Sequence, residues 1–190
     1  IEKAYTLLNQ ILNTPYNTKI LPFAQFWLGE ISYKLGRVDM AIEILERFLL
    51  DPVEVGEVTQ RHAKYTLGYC YLKKGNYSKA LDLFQYVANY NHANMIEAYQ
   101  KDAFIRLADC QMMTKQYKLA LQGFQKVIDW NWDYTDYATL QKAVIQGGMG
   151  QSTEKIKILK DFVLLFAYSS KKSSLRFSQS EDACIILFLK

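Results

Sequence analysis

Cysteine, long apolar runs and charge of one sign are all scarce in these 190 residues, and each scarcity excludes something. Cys70, Cys110 and Cys184 are too few and too far apart for a disulfide framework or a CxxC metal site. They fit a reducing compartment without requiring one, because buried free thiols also survive elsewhere. The longest apolar stretches, Phe162 to Tyr168 and Ala183 to Leu189, fall far short of the roughly 20 residues a membrane-crossing helix needs. Membrane insertion of this chain is not expected. The formal net charge is +4, with the two signs alternating nearly everywhere except around Lys171, Lys172 and Arg176. Nucleic acid is therefore not an expected partner, since it demands a clustered basic face. The chain starts at Ile1 with no basic-then-apolar leader, so any targeting segment is expected to have been removed or to lie outside it.

What the chain does have is apolar content, half of all residues, which excludes disorder as its main state and provides for a sizeable core. It also has internal repetition, the feature to seek first. Three segments align: Trp27-Leu28-Gly29-Glu30 through Gly36 and Ala41; Thr66-Leu67-Gly68-Tyr69 through Tyr71, Gly75, Tyr77, Ala80 and Phe84; Arg106-Leu107-Ala108-Asp109 through Tyr117, Ala120 and Phe124. Within each, apolar residues recur at three- and four-residue steps on either side of a short turn such as Leu35-Gly36-Arg37 or Lys74-Gly75-Asn76, the pattern of two amphipathic helices. Small residues, Gly68 or Ala108 in the first helix and Ala80 or Ala120 in the second, let the pair approach closely, and Tyr71, Tyr77 and Phe84 fill the space around them.

The middle segment, Leu67-Gly68, Tyr71, Gly75, Tyr77, Ala80 and Phe84, resembles the signature of the tetratricopeptide repeat family. The first keeps Gly29, Gly36 and Ala41 but has Ser32 and Leu45 where aromatics are usual; the third keeps Leu107, Tyr117, Ala120 and Phe124 but has Lys115 at the turn glycine. A degenerate fourth unit keeps Ala143 and Gly150 in register, with Lys155 in place of the second small residue, followed by Leu159 and Phe162. Ala4, Leu8 and Ile11 followed by Pro15 look like the second helix of a preceding unit, so the chain is expected to begin inside a longer protein. The resemblance implies an all-α, right-handed α-α superhelix, a solenoid of antiparallel helix pairs.

Helices are expected near 2–13, 20–35, 38–50, 57–74, 77–90, 94–114, 117–130, 135–148 and 152–167. The array then covers residues 1–168: a partial repeat at 1–16 and repeats near 20–52, 57–92, 94–131 and 134–168. Residues 169–190 follow as a linker, rich in Ser and Lys to Ser180, with Glu181 to Lys190 able to form a short C-terminal helix. Spacing of 39 and 40 residues between Ala41, Ala80 and Ala120 exceeds the family's usual ~34. It is similar to that of bacterial envelope proteins of the outer-membrane assembly lipoprotein type, so the bacterial periplasm or envelope stands beside the cytoplasm as a location.

Candidates for chemistry are few. His62 and Cys70, eight residues apart on one expected helix, could make a Cys/His pair, but a packed cysteine near a surface histidine is the commoner arrangement. Gly147, Gly148 and Gly150 follow no strand and precede no GK[ST], so they read as a turn rather than a phosphate loop. Asp129, Asp133 and Asp136 lack the spacing of a calcium loop. Asn76-Tyr77-Ser78 is a formal glycosylation sequon in a turn that favours Asn anyway. No catalytic residue, metal or cofactor is expected.

In tetratricopeptide arrays the first helices of successive units line a groove that holds a peptide. Carried onto this chain, the groove positions are Phe23, Phe26, Glu30 and Tyr33; His62, Tyr65, Tyr69 and Lys73; Asp102, Ile105, Asp109 and Met112. Phe26, Glu30, Tyr65 and Tyr69 stand where the family's chaperone-binding members hold a terminal carboxylate with Lys, Asn and Arg, which disfavours that ligand. Aromatics with scattered carboxylates would suit an extended or helical segment with apolar anchors and a basic residue. Two other surfaces compete: the link Trp130-Asn131-Trp132-Asp133-Tyr134, and the apolar run Cys184 to Leu189, which must pack on the last unit, pair with another copy or be covered by a continuation. The expected function is thus a non-catalytic protein-interaction scaffold binding a partner's peptide segment. The alternative is a structural assembly subunit using its links, convex face or terminal helix, with self-association through the solenoid ends; an enzyme comes a distant third.

Overall fold

A computed structural model of the chain describes residues 1–13, 19–88 and 97–172, the side chains of 165–172 excepted. Among these residues the regular structure is helical, apart from one isolated antiparallel bridge between Val55 and Val58. The helices are α1 (Glu2–Leu12), α2 (Leu21–Lys34), α3 (Val38–Phe48), α4 (Gln60–Lys73), α5 (Tyr77–Ala88), α6 (Ala98–Met113), α7 (Tyr117–Asp129), α8 (Thr135–Gly148) and α9 (Ser152–Lys172). The chain divides into two compact units, Ile1–Ala138 and Thr139–Lys190, with the boundary inside α8.

In the first unit, helices adjacent in sequence are adjacent in space from α1 to α7, and the repeat register explains how they pack. Ala41, Ala80 and Ala120 are fully buried, as are Leu45, Phe84 and Phe124 one turn on and Phe48, Val87 and Val127 at the next. The first repeat, with Leu45 in the usual aromatic place, recovers its aromatic at Phe48, whose ring meets Phe26 edge-on at 5.6 Å. A Cβ on Gly68 would lie 2.9 Å from the Phe84 ring, and one on Gly29 would lie 2.6 Å from Leu45. In the third repeat the methyl sits on Ala108 and the facing helix supplies the room, since a Cβ on Gly123 would come within 3.1 Å of it. Ser32, buried where Tyr71 and Gln111 stand in the later repeats, donates its hydroxyl to the Leu28 carbonyl at 2.6 Å.

Each helix pair turns on one residue in the left-handed region: Gly36 (φ 76°), Gly75 (φ 70°) and Lys115 (φ 62°). The bonds are those of a Schellman turn, as in Asn76 N–H to Tyr71 C=O (2.9 Å) and Gln116 N–H to Gln111 C=O (2.7 Å). A lysine there bears a Cβ–carbonyl clash that glycine lacks. Lys115→Gly is therefore expected to raise the unfolding free energy by about 0.5–1 kcal/mol, after discounting glycine's greater freedom in the unfolded chain. Gly75→Ala should shift urea midpoints in the opposite direction, which sets the sign of the comparison.

Three boundaries differ from expectation by more than two residues. α6 begins at Ala98 rather than near 94, with Glu97 as its N-cap and the Glu97 N–H donating to the Gln100 side chain at 3.0 Å. α4 begins at Gln60 rather than 57, because the Val55–Val58 bridge takes up the preceding residues and Thr59 caps the helix, its Oγ1 accepting from His62 N–H at 3.1 Å. α9 runs to Lys172, so Ser169–Lys172, expected to open a linker, are helical; no Gly or Pro interrupts 152–172. The rest of that segment, with Arg176, Cys184 and the expected terminal helix, lies outside the described residues.

In the second unit Ala143 and Ile145 are buried, and Gly150 (φ 77°) turns α8 into α9. A Cβ on Gly147 would stand 2.8 Å from the Lys155 stem, so glycine makes the room that Lys155, unlike alanine, does not leave. Ile156, Val163 and Leu164 of α9 are exposed.

Candidate interaction face

The first helices of three repeats, α2, α4 and α6, bring most of the sequence-predicted groove residues to one face, where polar side chains bind one another across the helices. Tyr65 and Tyr69 of α4 both donate their hydroxyls to Asp102 Oδ2 of α6, the former at 2.8 Å. Arg106, one turn after Asp102, donates Nε to Asp102 Oδ1 (3.4 Å) and Nη1 to Asp109 Oδ2 (2.5 Å). Asp109 Oδ1 accepts from the Tyr137 hydroxyl at 2.7 Å. On α2, Glu30 accepts from the Thr66 hydroxyl.

Burial sets the electrostatics of this network. It pushes the Tyr65, Tyr69 and Tyr137 hydroxyls well above their usual pKa, helped in each case by the carboxylate they bind. Burial also works against the Arg106 charge, but Asp109, Tyr69, Asp102 and Tyr137 outweigh it and hold the guanidinium above its ordinary value. Asp109 sits above the normal carboxylate range because burial exceeds what Tyr137 and Arg106 give back. Glu30 is raised in the same way, by burial opposed by Thr66 and Lys34.

That shift has a sign. A carboxyl raised on folding is protonated more readily in the native state, so its contribution favours folding in acid and is lost as pH rises through the native pKa. Glu30→Gln keeps an oxygen for Thr66 and removes the buried charge. It is expected to raise the midpoint of thermal unfolding at neutral pH and to lose that advantage as pH falls below the ordinary carboxylate range, a difference read from paired melting curves.

The remaining predicted residues divide into surface and core. Tyr33 is half-buried, its ring 6.3 Å from Tyr69 and capped by Lys73 Nζ at 4.3 Å. His62 stacks on Tyr99 at 4.4 Å, its Nδ1 3.0 Å from Thr59 Oγ1. Burial lowers its pKa against the opposing pull of Glu97 and Glu57. Phe23 and Met112 are partly buried, Phe23 against the core cluster. Phe26 (2 % exposed) and Ile105 (fully buried) belong to the core instead. Each lies three residues before the small residue that meets the second helix, Gly29 or Ala108, so this register position turns inward. At the same position Tyr65 is long enough to bring its hydroxyl out to Asp102.

Arg106, Thr66, Tyr99 and Tyr137 were missed. The Asp102, Arg106, Asp109 spacing of four and three residues was a legible signal of one charged helix face. Tyr137, 28 residues from Asp109, had none.

The cysteines lie beneath this face. Cys70 is buried among apolar neighbours, its thiol pushed up to about 12 by burial, and no contact with His62 forms. Cys110, in the equivalent place, is likewise held at about 12. Such thiols are poor nucleophiles. Among the described residues no group of three or more His, Cys, Asp or Glu is placed to hold a metal ion, and no helix is long and apolar enough to cross a membrane. In the link, Trp130 and Trp132 stack at 4.8 Å and both meet Phe104 of α6, at 5.5 and 5.7 Å.

The family model for the tetratricopeptide repeat matches residues 23–51, 62–91 and 102–129, starting each repeat at the register of Phe23, His62 and Asp102. Three segments of the chain are tetratricopeptide repeats. The chain's fold, the all-α superhelix of that family, is shared with solved structures of low identity. The putative kinesin light chain repeats of Podosopora anserina superpose with a TM-score of 0.70 at 16% identity, covering 90% of this chain and 88% of that one. MamA from Desulfovibrio magneticus RS-1 gives 0.66 at 17%, covering 88% and 86%. The apo form of RapI gives 0.67 at 13%, covering 90% of this chain and 64% of that one. No curated protein matches the sequence significantly. Tetratricopeptide repeats serve as protein-interaction scaffolds, and that is the class of function these repeats give the chain; solenoids of this kind are typically non-catalytic.

Proposed function

We propose that the α2–α4–α6 face of this tetratricopeptide array binds an extended or helical segment of a partner protein. The observation that carries the reading is the state of the aromatic side chains there. Tyr33, Tyr69 and the His62–Tyr99 pair present half-open ring surface, while Tyr65 and Tyr69 are held by Asp102 and Tyr99 by Arg61 Nη1 at 2.8 Å. Rings fixed before the partner arrives lose little freedom on binding, so more of their apolar contact appears as affinity.

A second reading has one observation in its favour: Trp130 is nearly half exposed on the link, and exposed tryptophan is a frequent interaction anchor. Three chains separate the two. Tyr65 and Tyr69 are unsuitable probes, because they support Asp102. Tyr33→Ala with Met112→Ala trims two partly buried side chains outside the Asp102 network, and Trp130→Ala trims the link where it meets Phe104. A partner captured by the parent and by the link variant, and lost by the folded face variant, is the expected result. Loss with Trp130→Ala alone would move the docking site to the link.

A further inference from the structure

The carboxylates of this face suggested a partner with a basic residue, but the structure occupies them internally. Asp102 accepts from two tyrosines and an arginine, Asp109 from Arg106 and Tyr137, and Glu30 from Thr66. Asp102 and Asp109 are largely buried, with 12% and 14% of their side chains exposed. So little of Asp102 and Asp109 is open that an incoming ammonium or guanidinium would have to displace the groups already bound to them.

The exposed charges lie one turn further along. Lys34 follows Glu30 by four residues and reaches it electrostatically, lowering its pKa. Lys73 follows Tyr69 by four residues and lies over the Tyr33 ring. Both are exposed in the last turns of α2 and α4, and neither forms an ion pair among the described residues; the next lysine, Lys74, by contrast pairs with Asp39. Near the opposite end of α4, Glu54, Glu57 and Glu97 act on His62, with Arg61 opposing them. This end of the face thus carries the exposed Lys73 ammonium over the Tyr33 ring and the exposed Lys34 on the residue that follows Tyr33.

We propose that the end of the face formed by Tyr33, Lys34 and Lys73 reads an acidic side chain, so that the bound segment carries an Asp or Glu next to the apolar residue seated on Tyr33 and Tyr69. This rests on the face being the docking surface, as argued above. A carboxylate there gains two attractive partners and displaces no existing ion pair. A basic residue at the same place meets two like charges. Charge complementarity of this kind acts chiefly through discrimination among partners and through the rate of encounter.

The test uses a displayed library of random peptides selected on the intact chain and counter-selected on the Tyr33→Ala, Met112→Ala variant, so that only face-dependent peptides remain. These are expected to be enriched in Asp and Glu. The chain carrying Lys34→Glu and Lys73→Glu, both exposed and so not expected to disturb folding, should bind the selected peptides about 30-fold more weakly, from two attractions lost and two repulsions gained at exposed sites. The same variant, used as bait, should enrich Lys and Arg instead. Face-dependent peptides without acidic enrichment, or bound equally by the charge-reversed chain, would overturn this inference and leave the docking face standing. A library that yields peptides indifferent to Tyr33 and Met112, or none, would overturn both.

Discussion

Phe84→Ala is expected to lower the unfolding free energy by about 4 kcal/mol, the cost of removing a fully buried aromatic and leaving its cavity. Phe84 is enclosed by Gly68 on one side and by the Tyr65 and Tyr69 rings, at 6.2 and 5.4 Å, on others. Its loss would loosen both the α4–α5 contact and the tyrosines that reach Asp102. Denaturant titration measures the loss. A coupled pair of substitutions tests its cause: Gly68→Ala alone should destabilise by about 1–3 kcal/mol through overpacking, and Phe84→Leu should absorb part of that penalty because the ring atoms 2.9 Å from the new methyl are gone. Additive effects in the double variant would show that the two residues do not share the space assigned to them.

Removal of the Arg106 guanidinium is the second large effect. Its side chain is 21% exposed and it is the cation that Asp102 and Asp109 share. Arg106→Ala leaves two buried carboxylates with tyrosine hydroxyls alone, at an expected cost of about 3 kcal/mol. Asp109 is already held above the ordinary carboxylate range by burial, and Arg106 opposes that rise. Without the cation its pKa rises further, the native state takes up a proton more readily, and the destabilisation should shrink as pH falls. A penalty that stayed constant from neutral to acid pH would mean that lost packing of the arginine stem, rather than unpaired charge, is responsible. The circular dichroism spectrum should remain helical in both variants, because the solenoid sums unit and interface terms and the outer repeats persist.

The face was only partly legible before the structure. His62, Tyr65, Tyr69, Tyr33, Lys73, Asp102 and Asp109 were placed by register, and register is local: once Ala41, Ala80 and Ala120 are aligned, every first helix shares one phase. The same phase carried Phe26 and Ile105 onto the list, yet both are core. Whether a position on the seam between helices is open depends on the neighbour's side chain, and no period reports that. A basic residue in the partner loses its support for a related reason. Composition counts carboxylates; it does not count the hydroxyl and guanidinium groups that satisfy them.

The sequence by itself determined the helix pairs, their turns and their tetratricopeptide identity, because those rest on contacts three, four and seven residues apart and on small residues recurring at a fixed interval. It marked Lys115 as the turn residue in place of glycine, and the backbone adopts the left-handed conformation there as it does at Gly36 and Gly75. The tertiary structure alone decided which charges remain available. Tyr65 reaches Asp102 across 37 residues and Tyr137 reaches Asp109 across 28, and these bonds between helices, made in a poorly solvated seam, take up carboxylates that the sequence alone leaves open.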